Sequence, residues 1–115
     1  MKQVVLVVDV QASFSPPVWL VDRAQKIANL LPSIATVERH NERRVPFKAQ
    51  LNWAPDSSDV SLVKADHEFV KYGYAPTPQI SDTIVEIAPE RVLVCGFQAA
   101  TCVLAAGFAL FDLGL

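Results

Sequence analysis

The sequence has no apolar run long enough to cross a bilayer. It has no basic block beyond Arg43-Arg44 and a formal net charge of −2, so nothing points to nucleic acid as a partner. Its only cysteines, Cys95 and Cys102, stand seven positions apart, which excludes a CxxC redox motif or a zinc-binding cysteine pair. Lys2 precedes an apolar stretch that stops at Asp9 with no small-residue cleavage site behind it, so the N-terminus reads as a strand rather than a secretion signal. There are no internal repeats and no low-complexity segments. These absences predict a soluble, cytoplasmic protein with free thiols, no nucleic-acid or membrane partner and no cofactor.

What is present fits one globular domain over residues 1–115. Hydrophobic residues make up 51% and charged residues 19% of the chain, a folded composition rather than a disordered one. A chain of this length buries roughly two-thirds of its unfolded surface, enough for a core without staples.

Strand and helix patterns alternate along it. Val4-Val5-Leu6-Val7-Val8 is a continuous, mostly β-branched run, the signature of a strand buried on both faces. Leu20, Ala24, Ile27, Ala28 and Leu31 follow helical spacing until Pro32. A short strand is expected over 34–40, ending on the polar triplet Glu38-Arg39-His40. Residues 41–61 read as a surface loop with a short helix near 47–53. Glu68-Phe69-Val70-Lys71 is a third strand. Ile80, Ile84, Val85 and Ile87 mark a helix closed by Pro89, Val92-Leu93-Val94-Cys95 a fourth strand, and 101–113 an apolar helix. This order predicts an α/β fold, a parallel sheet between two helical layers.

In such sheets ligands sit at the carboxyl ends of the strands. Three reactive side chains fall there. Asp9 ends the first strand, Lys71 ends the third, and Cys102 opens the last helix just after the fourth. A helix N-terminus favours a thiolate, and a nearby lysine favours it further. The free N–H groups of that turn suit an oxyanion. Asp9 fits a base that takes the thiol proton and returns it to a leaving group. Taken singly, each has a plainer explanation: Asp9 as a turn cap, Lys71 as a solvated strand end, Cys102 as a small apolar packing residue. Their joint placement favours chemistry. Cys95, inside an apolar strand, is expected to be buried and inert.

Three segments resemble the isochorismatase-like cysteine hydrolases, a family that includes nicotinamidases and other amidohydrolases. Asp9-Val10-Gln11-Ala12-Ser13-Phe14 is similar to the opening D-x-Q-x-x-F motif. His67-Glu68-Phe69-Val70-Lys71 is similar to the strand that delivers a catalytic lysine. Gly96 through Cys102-Val103 is similar to the G-x(5)-C-V nucleophile segment. The resemblance implies a Rossmann-like three-layer αβα domain, here with four strands of a usual six. It implies that Cys102 attacks a carbonyl or imine carbon, that Asp9 shuttles the proton, and that Lys71 stabilises the thiolate and positions Asp9. It also implies a cis Phe97–Gln98 peptide, with the backbone N–H groups of Gln98 and Cys102 as an oxyanion hole. Phe14, Trp53 and Phe97 are candidate walls of a small-molecule pocket, and equally candidate core residues.

Nicotinamidases hold a metal around a D-W-H-P stretch. The corresponding Asn52-Trp53-Ala54-Pro55 lacks both ligands, and His40 and His67 have no ligand spacing, so no metal is expected. Arg39 and His40, at the second strand's end, could face the pocket, and surface exposure is the favoured expectation for both. Relatives of this kind continue past the nucleophile helix, so the chain is expected to be truncated and to associate as a homo-oligomer through its uncovered apolar edge. Two functions remain open: a metal-independent cysteine hydrolase of a small amide, ester or related C–N bond, or a non-catalytic member or fragment acting in assembly.

Overall fold

A computed structural model describes residues 1–115. Four parallel strands form one sheet: β1 (Gln3–Val8), β2 (Ser33–Glu38), β3 (His67–Lys71) and β4 (Arg91–Gly96), in the order β3-β2-β1-β4. The helices are α1 (Val18–Leu30), α2 (Phe47–Leu51), α3 (Pro78–Ile87) and α4 (Leu104–Asp112). The α/β class and the parallel sheet are as the sequence predicts.

Strand β1 is central and carries the core. Val4, Val5, Leu6, Val7 and Val8 are all within 1% of full burial, each contributing roughly 1.5–3 kcal/mol through apolar burial. Alternation along the strand divides them between two layers. Val5 and Val7 pack with Ala24 and Ala28 of α1. Val4, Leu6 and Val8 pack with Ile80 and Ile84 of α3, with Ala106 and Leu110 of α4, and with Cys102. Ala24 and Ala28 are small, which lets α1 lie close to the sheet. In the same way Cys102, Ala106 and Leu110, four apart, turn one stripe of the last helical segment inward.

Two details differ from the sequence expectation. The last helix does not begin as an α-helix. Residues Ala99–Val103 form a π-helical turn closed by Val103 N–H donating to Gln98 O at 3.1 Å. Cys102 lies late in that wide turn instead of at a helix N-terminus. Cys95, expected to be buried, is half-buried on β4, because β4 is an edge strand.

Gly96 ends β4 with φ +145°, and a Cβ there would stand 2.1 Å from the backbone oxygen of Val8. Val8 and Gly96 are register partners. The close approach brings the segment leading to Cys102 against the end of β1, next to Asp9. Both the dihedral and the backbone contact exclude a side chain. Gly96→Ala should therefore cost about 3 kcal/mol or more in chemical denaturation. A loss under ~1 kcal/mol would show that the β1–β4 approach is softer than this geometry implies.

Candidate active site

The carboxyl ends of three strands and the π-helical turn meet at one point. Asp9 follows β1 in a left-handed conformation, φ +54°, a costly state for a non-glycine residue that persists only where its surroundings hold it. Here β2 holds it. Asp9 N–H donates to Thr36 O at 3.1 Å and to Thr36 Oγ1 at 3.2 Å, and the Thr36 hydroxyl donates back to Asp9 Oδ1 at 2.7 Å. The other carboxylate oxygen lies 2.9 Å from Lys71 Nζ, with both side chains buried. Lys71 also donates to Gly73 O at 2.8 Å and Tyr74 O at 3.2 Å. Three oxygens thus surround an ammonium that has three protons to give.

Glu38 completes the cluster. It sits at the end of β2, in register with Lys71, and is 1% exposed. One oxygen, Oε2, accepts from the Cys102 thiol at 3.7 Å. The other, Oε1, is buried without a partner. The Gln11 side-chain amide pins the Glu38 backbone. Gln11 Nε2 donates to Glu38 O at 2.8 Å, and Glu38 N–H donates to Gln11 Oε1 at 2.8 Å. Gln11 and Ser13 both donate to Asp59, which ties the Asp9–Phe14 segment to the loop before β3.

Glu38, Thr36 and the clamp made by Gln11 are not evident from the sequence alone, where Glu38-Arg39-His40 reads as a polar strand end. Thr36 and Glu38 lie two apart on the same face as buried Ile34, so strand periodicity was the available signal. Of the other two, Arg39 Nε donates to Asp59 O at 2.8 Å and His40 pairs with Glu42 at 2.7 Å. Both are half-buried, where surface exposure was expected, and neither lines the cavity.

The environment of Cys102 works against the thiolate that a helix start and Lys71 would favour. Cys102 is only 3% exposed. Burial pushes its thiol up to about 12, the negative charge of Asp9 adds to the push, and the Lys71 ammonium only partly opposes it. Desolvation outweighs the favourable cation, and the π-helical turn has moved the thiol away from a helix start. At neutral pH Cys102 is a protonated thiol with two carboxyl groups beside it.

Cys102 and Glu38 open onto a cavity of about 150 Å³. Phe14, Leu51, Trp53, Tyr74, Gln98 and Thr101 form the rest of its lining. Phe14 and Trp53 are therefore wall residues. Phe97 is not; it packs behind Phe14 at a centroid distance of 6.3 Å. The Phe97–Gln98 peptide is cis. Asn52 is exposed and ends α2 in a left-handed conformation, φ +55°, which asparagine tolerates well. Asp9, Glu38 and Cys102 offer one donor atom each within 4.8 Å of one another. A metal ion there would have to displace Lys71 from Asp9 and strip the thiol proton.

The fold is shared with proteins of known structure. N-carbamoylsarcosine amidase from Thermoplasma acidophilum superposes with a TM-score of 0.74 at 19% identity, covering 97% of this chain and 78% of its own. An isochorismatase family protein gives 0.66 at 18% identity, covering 97% and 74%. A cysteine hydrolase from Pseudomonas syringae pv. phaseolicola gives 0.69 at 16%, covering 98% and 67%. No protein-family sequence model and no curated protein sequence matches the chain. The chain has the isochorismatase-like fold, and no helix in it is long and apolar enough to cross a membrane.

Glu38 gives the site a stability signature. Burial raises its carboxyl from 4.5 to about 7, more than the opposing Lys71 charge lowers it. The folded state then binds a proton that the unfolded state has released. Its contribution is complete below 4.5 and is lost as pH rises through about 7. Between about pH 5 and pH 8 the unfolding free energy should fall by up to about 3 kcal/mol from this group alone. Glu38→Gln should flatten that fall in urea titrations at the two pH values; an undiminished slope would place the effect elsewhere.

Proposed function

We propose that the chain is a metal-independent cysteine hydrolase that cleaves a small amide, ester or related C–N bond through a covalent Cys102 intermediate. The observation that carries this is that Asp9, paired with Lys71, stands within 4.8 Å of Glu38 and Cys102, which open onto one small cavity at the carboxyl end of the sheet. Similarity in fold to an amidase and a cysteine hydrolase supports it.

The geometry suits the following course. The Cys102 sulfur attacks the carbonyl carbon while its proton passes to the Asp9 carboxylate, forming the S–C bond. Lys71 keeps Asp9 oriented and compensates the charge as it moves. The backbone N–H groups of Gln98 and Cys102 take the oxyanion of the tetrahedral intermediate. Collapse breaks the C–N bond, and Asp9 hands its proton to the departing nitrogen. Water then attacks the thioester carbon, Asp9 taking its proton; the C–S bond breaks, the carboxylic acid leaves, and Asp9 returns the proton to the sulfur. A thiol near 12 makes deprotonation part of the chemical step, so the base must stay in contact with the nucleophile.

Incubation with a library of small amides, followed by intact-protein mass spectrometry, should show an acyl adduct on Cys102. Cys102→Ala should give none, and Asp9→Asn should lower turnover by at least about a hundredfold. An adduct that persists in Cys102→Ala, or full turnover in Asp9→Asn, would overturn the assigned roles.

A second reading, assembly, draws on the sheet edge at β4. Leu104, Phe108 and Phe111 are 50%, 64% and 76% exposed, and with Val94 and Val103 they line an open apolar groove. Unpaired strand edges and apolar patches favour association. Light scattering behind size exclusion should show a homo-oligomer. A monodisperse monomer at high concentration counts against assembly and leaves the hydrolase reading intact.

A further inference from the structure

We propose that Glu38 sets the substrate class: the site takes small uncharged or cationic amides that present an N–H to Glu38 Oε1, and rejects amides that carry a carboxylate. This rests on the hydrolase reading for its chemistry, but not for its binding preference.

The cavity is small and mostly apolar, with Phe14, Leu51, Trp53 and Tyr74 as walls. A polar substrate must therefore find its partners among few groups. Glu38 Oε1 is the one buried acceptor of the cavity lining that has no partner. An unpaired buried acceptor is costly, and a ligand donor relieves that cost. No lysine, arginine or histidine lines the cavity to receive a substrate carboxylate. The Lys71 ammonium is already surrounded by Asp9, Gly73 and Tyr74 oxygens. Arg39 is tied by its Nε to Asp59 O, and Arg44 lies over the Tyr72 ring at 4.5 Å. Two carboxyl groups thus face one ammonium. A second anion would enter a desolvated site that already leans negative, whereas an N–H donor or a cation would be attracted. Burial, and after it the Asp9 charge, raise the Glu38 carboxyl, so a further anion beside it is disfavoured.

Rigid placement makes the group selective rather than adaptable. Gln11 clamps the Glu38 backbone from both sides, and Cys102 occupies its other oxygen. Oε1 is left in a defined position beside the nucleophile, where an amide N–H of the bound substrate would lie as its carbonyl meets the sulfur.

Three probes of similar length separate the possibilities: butyramide, 4-aminobutyramide and succinamate, which are neutral, cationic and anionic. Binding is read by ligand-observed NMR and turnover by ammonia release, at about pH 8, where the Glu38 carboxyl is ionised. Wild type should bind succinamate at least about tenfold more weakly than butyramide, with 4-aminobutyramide equal to or tighter than butyramide. Glu38→Gln, nearly isosteric, should bring the succinamate-to-butyramide ratio close to one. If that variant does not fold, Glu38→Ala is the replacement, and the wild-type ratio is itself decisive. Equal binding of succinamate and butyramide by wild type overturns the proposal, as does an unchanged ratio in the Glu38 variant, or failure of all three probes to bind. Charge-selective binding without ammonia release would uphold it while refuting the hydrolase reading.

Discussion

The Asp9–Lys71 ion pair is the constraint on which the rest of the site depends. Two charges taken out of water are tolerated only when each is closely paired and its remaining valences are met. Lys71 comes from the edge strand β3 and Asp9 from the central strand β1, with β2 between them. The lysine must therefore pass across the end of β2, so the residues β2 presents there must be polar partners. It presents Thr36, whose hydroxyl completes Asp9, and Glu38, in register with Lys71 itself. The left-handed turn at Asp9 and the glycine at 96 follow from the same demand. Both let backbone come close enough for β1 and β4 to bring a carboxylate and a thiol together.

The sheet and its order of elements were legible because the apolar runs are long and β-branched, with a lone charge after β1 and at the end of β3, and Cys102 a short turn past β4. Asp9, Lys71 and Cys102 could be named for that reason. Glu38 could not. It stands in an unbroken polar triplet, and polar triplets at strand ends are commonly solvated. Only the burial of β2 on both faces, a property of the assembled sheet, turns it inward. Gln11 was visible as part of a motif but not as a clamp, since its partner lies on another strand. The π-helical turn has no residue signature, and it places the thiol inside the turn instead of at its start.

The protonation of Cys102 shows how the competing effects rank. A helix terminus and a lysine both favour a thiolate, and each is worth about 1 kcal/mol at partly exposed positions. Burial beneath α4 and the sheet, with two carboxyl groups nearby, works the other way and prevails. The lysine's charge is largely spent on Asp9. The arrangement therefore fits a base-assisted nucleophile better than a preformed anion.

That ranking links binding to activation. Moving the proton from Cys102 to Asp9 leaves the total charge of the cluster unchanged but shifts the negative charge from beside Lys71 toward sulfur. Glu38 Oε2, 3.7 Å from that sulfur, opposes the shift while Glu38 is ionised and unpaired. A donor N–H at Oε1 would draw the carboxylate's charge away from the thiol and lower the cost of forming a thiolate. On the proposed reading, the group that selects the substrate also holds the nucleophile inactive until the substrate is seated. An empty cavity then keeps a protonated thiol, and a filled one makes proton transfer to Asp9 easier in the step where the S–C bond forms.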